Sequence, residues 1–508
     1  MTDDMLAVSG DYAAMKPYWD TVAAFLAGAK AMRAAEKTYL PQFPGESDAD
    51  YKYRNQTAKF TNIFRDIAEN LASKPFTKEV GLTKPEDFQQ FEGIVEDVDG
   101  AGNHLNVFAA DTFFRGITQS VDWIFVDHPA MRDGATLADE RRMGARPYWV
   151  HIPATDMLAV YSAMVGSKEV IHYARIREAF VELNGVEEVA VEQVRVLVRD
   201  PIYDEDAASI VDYGPARFEV WRQAEESGRR KPGQATKMIW TKVEEGPISI
   251  GEIALVPFIT GRRHGLSWRF DPVLRDVADL QIEHYQRETN LKFAETMTAY
   301  PMLAGNGVMP AIGADGKPQP INRGPNAVLY GGVHDGAAGT WEVIEPTATS
   351  LEFLAKQIDT IEKQMREIGR LPLTGGTAGL TQVAAAFGSQ KASSAVQMWA
   401  LGLKDALERA FQFTAKWMAE PAGPEVSVHT DFAVEFGGEN DFSDLNTARK
   451  NGEISRETYW RELKRRGKLS ADFDPDAEAA ALEEEYPGEG DVFAAGTTAV
   501  TGETPAAA

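Results

Sequence analysis

A stripe of apolar residues between residues 347 and 370 is the sequence feature that most constrains the fold. Its members recur at spacings of three and four residues, which places them on one face of an α-helix. They are Leu351, Leu354, Ala355, Ile358, Ile361, Met365 and Ile368. The pattern predicts a long amphipathic helix over 347–370, the clearest helix in the sequence.

A second long helix is predicted shortly before the first, over residues 273–299. Its apolar positions are Leu274, Val277, Ala278, Ile282 and Tyr285. Asp271 is placed to cap this helix and Pro272 to occupy its first position. The intervening residues 300–346 are rich in Gly and Pro and contain short strand-like runs at 327–330 and 340–344.

A loop of small residues is predicted over 371–392, before a helix over 393–419. The run Thr374-Gly375-Gly376-Thr377-Ala378-Gly379 superficially resembles a phosphate-binding loop. A P-loop needs Lys and Ser or Thr directly after its last glycine, whereas Leu380 and Thr381 follow here. The run also lies between two helices rather than after a strand, so we predict no nucleotide site. A connection of this length is typical of functional or disordered loops.

The N-terminal half is predicted to contain helices followed by a sheet. Helical patterns cover 11–40, 48–73 and 104–120, and Ser47 or Asp48 is placed to cap the second. Short alternating apolar and polar runs between 121 and 258 predict a mixed or antiparallel sheet. Helices and strands in this arrangement predict the α+β class.

Charge and composition exclude several functions. The 508 residues include 77 acidic and 52 basic side chains, a net charge of −25. Phosphates repel carboxylates, so the chain is not a general nucleic-acid binder. The chain has no cysteine, which excludes disulfides, thiolate catalysis and Cys-ligated zinc. We expect neither a signal peptide nor a membrane span, because no long apolar segment is present.

No catalytic, cofactor or metal site is predicted. The eight histidines, at 104, 128, 151, 172, 264, 284, 334 and 429, show no HExxH or paired spacing. No G-x-S-x-G motif occurs, and no catalytic carboxylate pair stands out among the many acidic residues.

Residues 444–467 have the pattern of a helix-turn-helix. A basic second helix and its end carry Arg461, Lys464, Arg465, Arg466 and Lys468. DNA binding is one interpretation. A solvated basic helix that contacts a neighbouring subunit is the other, because the turn is an ordinary helix end and start. The tail 471–508 holds ten acidic residues and no Lys or Arg, and its composition predicts disorder.

Several segments, in order, resemble the portal proteins of tailed bacteriophages. The strongest is Asp271-Pro272-Val273-Leu274, with Asp276, Leu280, His284 and Tyr285. The others are Tyr39-Leu40-Pro41, Gly45-Glu46-Ser47-Asp48 with Tyr51, Asp99-Gly100 with Gly102, Arg146-Pro147-Tyr148-Trp149, Pro257-Phe258 and the run 452–458. The resemblance covers roughly residues 35 to 485, and the order and spacing of the segments carry it.

The resemblance implies a portal-type fold with a mixed α/β wing. Its regions are a wing (1–270), a stem helix (271–299), a clip (300–346), a second stem helix (347–370), a tunnel loop (371–392), a wing helix (393–420), a crown (421–470) and an acidic tail (471–508). The tunnel loop is expected to line the narrowest part of a channel through Thr374, Thr377, Thr381, Gln382, Gln390 and Lys391.

The implied function is a homo-oligomeric ring at one capsid vertex, without enzymatic activity. The ring, of about twelve copies, passes double-stranded DNA during packaging and ejection. Implied partners are the terminase large subunit, a head–tail adaptor, and the major capsid and scaffold proteins, with no membrane. The implied location is the virion, with assembly in the host cytoplasm. Two alternatives remain: another ring component of the head–tail junction, or an enzyme with an unrecognised site.

Overall fold

A computed structural model shows a chain of the α+β class. The structure describes residues 4–129, 139, 142–204, 210–225, 238–299, 302–306, 308, 333–334, 337–344, 348–369, 382–430, 432, 439–465, 468–469 and 473–485. The predicted strand at 327–330 lies outside these residues.

Six helices precede the main sheets in the described chain. They are α1 (Gly10–Ala27), α2 (Ala29–Ala34), α3 (Asp48–Gln56), α4 (Ile63–Ser73), α5 (Glu92–Glu96) and α6 (Leu105–Gln119). Short 3-10 turns lie at Glu36–Thr38, Lys74–Thr77, Pro85–Asp87 and Gln89–Phe91. Ser47 caps α3, because its side chain accepts a hydrogen bond from the backbone N–H of Asp50.

Two predicted helices are interrupted. The helix predicted over 11–40 ends at Ala27, because Gly28 has a φ of +82°, outside the helical range. The helix predicted over 48–73 is broken between Gln56 and Ile63. There, Asn62 caps α4 through a bond from the backbone N–H of Arg65 and donates to the carbonyl of Phe25.

The predicted sheet region forms two main antiparallel sheets. A three-stranded sheet has the order β13-β2-β3, and a five-stranded sheet has the order β12-β11-β8-β5-β4. The strands are β1 (Gly81–Leu82), β2 (Val121–Asp127), β3 (Tyr148–Pro153), β4 (Met157–Val165), β5 (Lys168–Arg177), β6 (Phe180–Asn184), β7 (Glu187–Val191), β8 (Gln193–Val198), β9 (Pro201–Tyr203), β10 (Ile210–Tyr213), β11 (Arg217–Glu225), β12 (Met238–Pro247), β13 (Leu255–Ile259), β14 (Arg262–Arg263) and β15 (Phe270–Asp271).

Three long helices follow the sheets. They are α7 (Arg275–Ala299), α8 (Ala348–Ile368) and α9 (Gln382–Trp417). Strands β16 (Met302–Asn306), β17 (Val333–His334), β18 (Ala337–Ala338) and β19 (Thr340–Ile344) lie between α7 and α8, and β19 confirms the strand predicted there. The C-terminal elements are β20 (Val426–Ser427), α10 (Glu439–Lys450), α11 (Arg456–Arg465) and α12 (Pro475–Glu485).

Three predicted boundaries in this half are wrong. Asp271 does not cap α7: it pairs with Arg262 in a short ladder, its carboxylate lies 3.0 Å from His264, and the helix begins at Arg275. The loop predicted up to residue 392 is helical from Gln382 onward. The tail predicted as disordered contains α12, which begins at a proline, a residue suited to a first helical turn.

The main core lies between the three-stranded sheet and helices α6 and α9. Gly116 on α6 allows Phe258 of β13 to approach so closely that a Cβ atom at residue 116 would lie 2.3 Å from the ring. On the α9 side, the indole of Trp149 donates a 2.8 Å hydrogen bond to the hydroxyl of Thr414. These contacts hold α9 against the sheet along its buried C-terminal half.

Candidate functional site

Helices α7 and α8 pack side by side as an antiparallel pair. His284 of α7 faces Glu362 of α8, with 3.2 Å between Nε2 and Oε1. One turn further out, Arg287 donates to the side-chain oxygen of Gln357 at 3.2 Å. Beyond the helices, β16 and β19 continue the same pairing, with Met302 opposite Ile344. The segment 275–368 is called the helical hairpin below.

Burial of the helical hairpin decreases from its base to its far end. At the base, Tyr285 of α7 and Met365 of α8 are fully buried. Towards the far end, Lys292 of α7 is exposed, and so is the ring of Phe353 on α8. The hairpin therefore projects from a base that is embedded in the body of the protein.

Buried polar side chains attach α7 to the N-terminal helices. Gln281, which is fully buried, accepts a hydrogen bond from the backbone N–H of Phe64 at 2.9 Å. Its amide donates to the backbone carbonyl of Thr61 at 2.9 Å. A single glutamine thus bonds two backbone groups at the start of α4, and the N–H of Phe64 would otherwise be buried without a partner.

Glu288, two turns further along α7, anchors the same segment. Its carboxylate accepts from the backbone N–H of Thr61 at 3.1 Å and from the Thr61 hydroxyl at 2.8 Å. The Nζ of Lys59 lies 2.7 Å from Oε1 of Glu288 and adds a charged donor to this group. The hydrogen bond to Glu288 raises the pKa of Lys59 above its usual range, so Lys59 stays protonated at neutral pH.

His284 lies between these two anchors and links the helices of the hairpin. Its ring is fully buried, with Glu362 near Nε2 and Glu288 3.9 Å from Nδ1. Burial also raises the pKa of the neighbouring Tyr285 to about 12. The base of the hairpin is therefore a packed polar cluster.

The base of α8 is held by close packing. Gly369, just after α8, lies so close to α4 that a Cβ atom there would be 2.7 Å from Ile67. On the surface beside this contact, Arg366 donates to Asp66 at 2.8 Å. Both helices of the hairpin therefore rest on α4.

Charge on the helical hairpin is nearly balanced. Helix α7 carries five carboxylates and three basic side chains, and α8 carries four and three. Several basic groups are paired, as in Arg287 with Glu283 at 2.6 Å. A surface of this kind does not bind phosphate strongly, because binding requires an excess of unpaired Lys and Arg.

Three of the six residues predicted to line a channel fall at the start of α9. Thr374, Thr377 and Thr381 lie outside the described residues. Gln382, Gln390 and Lys391 belong to the first turns of α9, which directly follow the small-residue segment. Their backbone is helical rather than a loop.

The sequence reasoning missed the polar anchors of α7, although a signal was present. Gln281, His284 and Glu288 are spaced by three and four residues, so they share one helical face. Polar residues on a face that also carries buried apolar positions indicate specific partners.

A cavity of about 610 Å³ opens between the two main sheets. Within it, Arg195 pairs with Asp127 at 3.3 Å and with Glu178 at 2.6 Å. Burial raises the pKa of the Asp127 carboxyl above its usual range and that of Tyr148 to about 12. The positive charge of Arg195 offsets the negative charge of both carboxylates. The cluster therefore stabilises the junction between the sheets.

The helix-turn-helix pattern is formed, with α10 and α11 in contact. Ser455 caps α11 by accepting from the backbone N–H of Thr458 at 3.1 Å, as its position before the helix predicts. Leu463 is buried, whereas Arg461 and Lys464 are exposed. Lys464 donates a 3.0 Å hydrogen bond to the backbone carbonyl of Phe473.

The described residues contain neither a membrane-spanning helix nor a cluster of metal ligands. No helix among them is long and apolar enough to cross a membrane. No group of three or more His, Asp or Glu side chains within the same residues is arranged to hold a metal ion.

Comparison with known proteins gives one family match and several structural likenesses. A family model described as "Domain of unknown function (DUF4055)" matches residues 273–418, which include the helical hairpin and α9. No curated protein matches the sequence.

Among solved structures, the chain is similar to one from the neck of a native GTA particle computed with C12 symmetry. That match has 10% identity and a TM-score of 0.40, and covers 79% of this chain and 89% of the other. A second, from the neck of an empty GTA particle computed with C6 symmetry, has 10% identity, a TM-score of 0.41, and coverage of 83% and 94%.

Proposed function

We propose that the chain is the portal protein of a tailed bacteriophage, a ring component through which double-stranded DNA enters and leaves the capsid. The observation that carries this proposal is the helical hairpin, which has an embedded base and continues into the β16–β19 pair. A sheet-containing body, two antiparallel helices around a strand-containing insert, and a long helix follow the order expected for a portal subunit. The resemblance of residues 35 to 485 to portal sequences supports the same reading.

The charge of the chain suits a conduit. A protein that neutralises many phosphates releases counterions and holds DNA tightly. With 77 acidic against 52 basic residues, a ring of such chains neutralises few phosphates and lets a duplex slide. The movement itself requires a separate ATP-driven terminase, which docks on the ring.

In this proposal, residues 1–270 form the wing, the helical hairpin forms the stem and clip, and 421–470 form the crown. The segment 371–392 lines the channel and presents Thr374, Thr377, Thr381, Gln382, Gln390 and Lys391 to DNA. These side chains offer polar contacts with a single positive charge. Partners of the ring are the adaptor of the tail, the major capsid protein and the scaffold protein, and its location is the virion.

The first experiment is to measure the mass and shape of the purified full-length protein. Light scattering on a sizing column is expected to give about 670 kDa, the mass of twelve chains of 55.8 kDa. Electron microscopy is expected to show rings with a central hole. A chain that stays monomeric at high concentration and beside its capsid protein would contradict the proposal. A ring with no opening wide enough for a duplex would instead favour another head–tail component.

A further inference from the structure

Three cavities lie end to end along residues 244–250, which lead from β12 towards β13. The central cavity, of about 610 Å³, shares Phe218 and Pro247 with a cavity of about 590 Å³ beside β9. It shares Ser249 and Trp417 with a third cavity, of about 440 Å³, at the end of α9. Each has the volume of a pocket for one compact small molecule, so the three in a row fit an extended polypeptide instead. Together they are called the sheet groove below.

Aromatic and apolar side chains form much of the wall of the sheet groove. Phe125 and Trp417 line its centre, and Pro201 and Ile202 line the end beside β9. The ring of His128 stacks on the indole of Trp417, with 5.2 Å between the ring centroids and an angle of 18° between the planes. Aromatic faces of this kind attract guanidinium and ammonium groups, and they also cover the apolar parts of a peptide.

The indole N–H of Trp417 is a hydrogen-bond donor without an acceptor. Its nitrogen is buried, and no described residue accepts a hydrogen bond from it. The side chain lines both the central cavity and the cavity at the end of α9. An indole N–H can only donate, so an occupant of the groove gains by presenting an oxygen there. The backbone of an extended peptide presents a carbonyl oxygen at every residue.

Carboxylates outnumber basic groups in the lining of the sheet groove. The five carboxylates belong to Asp127, Asp200, Glu244, Glu245 and Glu420, and the three basic groups to Arg195, Arg217 and Lys416. Each basic group also has a carboxylate partner outside the lining. These pairs are Arg195 with Glu178 at 2.6 Å, Arg217 with Glu219 at 2.7 Å, and Lys416 with Glu252 at 2.8 Å.

The uncompensated charge in the sheet groove is therefore negative. Glu245 pairs with Lys242, whereas Glu244 has neither a hydrogen-bond partner nor an ion-pair partner among the described residues. A negative wall repels the phosphates of a nucleic acid. An occupant with positive side chains complements this wall.

We propose that the sheet groove binds an extended segment of a partner protein in which arginine or lysine alternates with apolar residues. Successive side chains of an extended chain point to opposite sides. The basic side chains therefore meet Glu244 and the aromatic faces, while the apolar ones pack beside Ile202 and a backbone carbonyl accepts from Trp417. The groove belongs to a single chain, so the inference goes beyond the proposed function and does not depend on a ring.

Fluorescence anisotropy of a labelled peptide tests the proposal on the full-length protein. The probe is a short peptide of alternating Arg and Val residues, used at about 0.15 M salt to screen long-range attraction to the acidic chain. Glu244→Lys is expected to weaken binding at least about tenfold, because like charges then meet at the contact. Glu352→Lys makes the same change at an exposed position on α8 and is expected to leave the affinity unchanged. Equal losses in the two variants would reduce the binding to attraction by net charge and overturn the proposal.

Two further measurements examine the aromatic wall and the sign of the charge. Trp417→Phe keeps an aromatic ring but removes the N–H, and it is expected to weaken binding of the probe about threefold. A peptide of alternating Glu and Val residues is expected not to bind. Binding of this peptide as tightly as the Arg-Val probe would overturn the charge argument.

A single cysteine reports where the probe lies, because the chain has no cysteine of its own. Ser249→Cys places a thiol in the sheet groove, and Val107→Cys places one at an exposed position on α6. The Arg-Val probe then carries a bromoacetyl group, from which the thiolate displaces bromide to form a thioether. Alkylation is expected to be at least about tenfold faster at Ser249→Cys, after each rate is divided by the rate with bromoacetamide. Equal ratios would overturn the location.

The mass of each variant separates this inference from the proposed function. Wild-type protein that binds the probe but forms no ring would support the groove and contradict the portal proposal alone. Rings of wild-type protein that do not bind the probe would overturn the groove and leave the portal proposal standing. A Glu244→Lys variant that folds by circular dichroism and binds the probe normally, but no longer assembles, would assign the groove to a second copy and overturn the proposal.

Discussion

The guanidinium of Arg54 donates hydrogen bonds to both carboxylate oxygens of Glu46, at 2.8 and 2.9 Å, and the two side chains are 1% and 6% exposed. The same guanidinium lies 4.1 Å from the ring of Phe43 and donates to the carbonyl of Pro41. It also reaches Asn290 on α7 at 3.4 Å. A buried ion pair therefore ties the loop before α3 to the helical hairpin.

Replacing Glu46 is expected to destabilise the protein in a pH-dependent way. Glu46→Gln leaves Arg54 buried without its counter-charge, which costs about 3 kcal/mol of unfolding free energy at pH 7. The hydrogen bond from Arg54 lowers the pKa of Glu46 below its usual value. Its stabilisation is thus fully present above the unfolded pKa of about 4.3 and is lost as the pH falls through the folded value.

Urea unfolding at pH 7, 5 and 3 checks this expectation. The difference between wild type and Glu46→Gln is expected to shrink as the pH falls towards the lowered pKa of Glu46. Glu69→Gln serves as the control, because Glu69 is exposed and lies 3.8 Å from Arg65. A penalty that stays constant from pH 7 to pH 3 would show that the charge on Glu46 is not its source.

Adding one methyl group at Gly116 is expected to disturb the core. In Gly116→Ala, the new Cβ would lie 2.3 Å from Phe258, so the ring or α6 must move, at a cost of about 1–3 kcal/mol. Gly93→Ala is the matched control, because Gly93 is also helical and a Cβ atom added there would have no neighbour within 4 Å. Thermal unfolding of both variants compares the two. Equal melting temperatures would mean that the contact between Gly116 and Phe258 is looser than this distance implies.

Removing the amide of Gln281 is expected to weaken the anchor of α7. Gln281→Leu leaves the buried N–H of Phe64 without a partner, at about 1–3 kcal/mol, whereas the carbonyl of Thr61 keeps its hydrogen bond from the N–H of Ile63. Gln397→Leu on the exposed face of α9 provides the control and is expected to change stability by less than about 0.5 kcal/mol. Denaturant unfolding measures both. Hydrogen exchange of the Phe64 amide gives the local test. Its protection against exchange is expected to fall in Gln281→Leu and to stay unchanged in Gln397→Leu.

A basic side chain in the proposed channel is expected to slow DNA. Thr377→Lys adds one positive charge per subunit, or about twelve per ring, where the proposal brings DNA closest. Duplex binding by the assembled ring is expected to strengthen at low salt and to fall steeply as salt is raised. Val107→Lys, on α6, is the control and is expected to have a smaller effect. Identical salt dependence of the two variants would remove 371–392 from the channel.

The long helices were predictable because their apolar residues repeat locally. The stripe from Leu351 to Ile368 predicted α8 almost to its ends, Ala348 and Ile368. The α+β class followed in the same way, since alternation between residues 121 and 258 is also a local pattern. A helix or strand shows this periodic pattern of apolar residues in its sequence wherever one of its faces packs against the core.

The errors arose where distant residues decide the local conformation. Asp271 and Pro272 have the signature of a helix start, yet Asp271 is held by strand pairing to Arg262 and by its contact with His264. The break before Asn62 has a similar cause, because Asn62 bonds to Phe25, far away in sequence. Partners of this kind cannot be inferred from a single local window.

The candidate site was predictable as a pair of helices but not as an anchored one. The sequence indicates two helices and an insert. The hydrogen bonds of Gln281 and Glu288 to residues 59–64 depend instead on tertiary packing. The channel-lining role of 371–392 remains a prediction.

The pairing of the two halves of the helical hairpin has a mechanical consequence. His284 faces Glu362 near the base and Met302 pairs with Ile344 beyond the helices, so we expect the hairpin to act as a lever whose fulcrum is the polar cluster at its base. We expect a push at the far end to reach the body at the contacts of this base, which are Glu288 with Thr61 and Gly369 with Ile67 of α4. We therefore expect a molecule that docks at the tip to act on the body of the chain across the whole length of the lever.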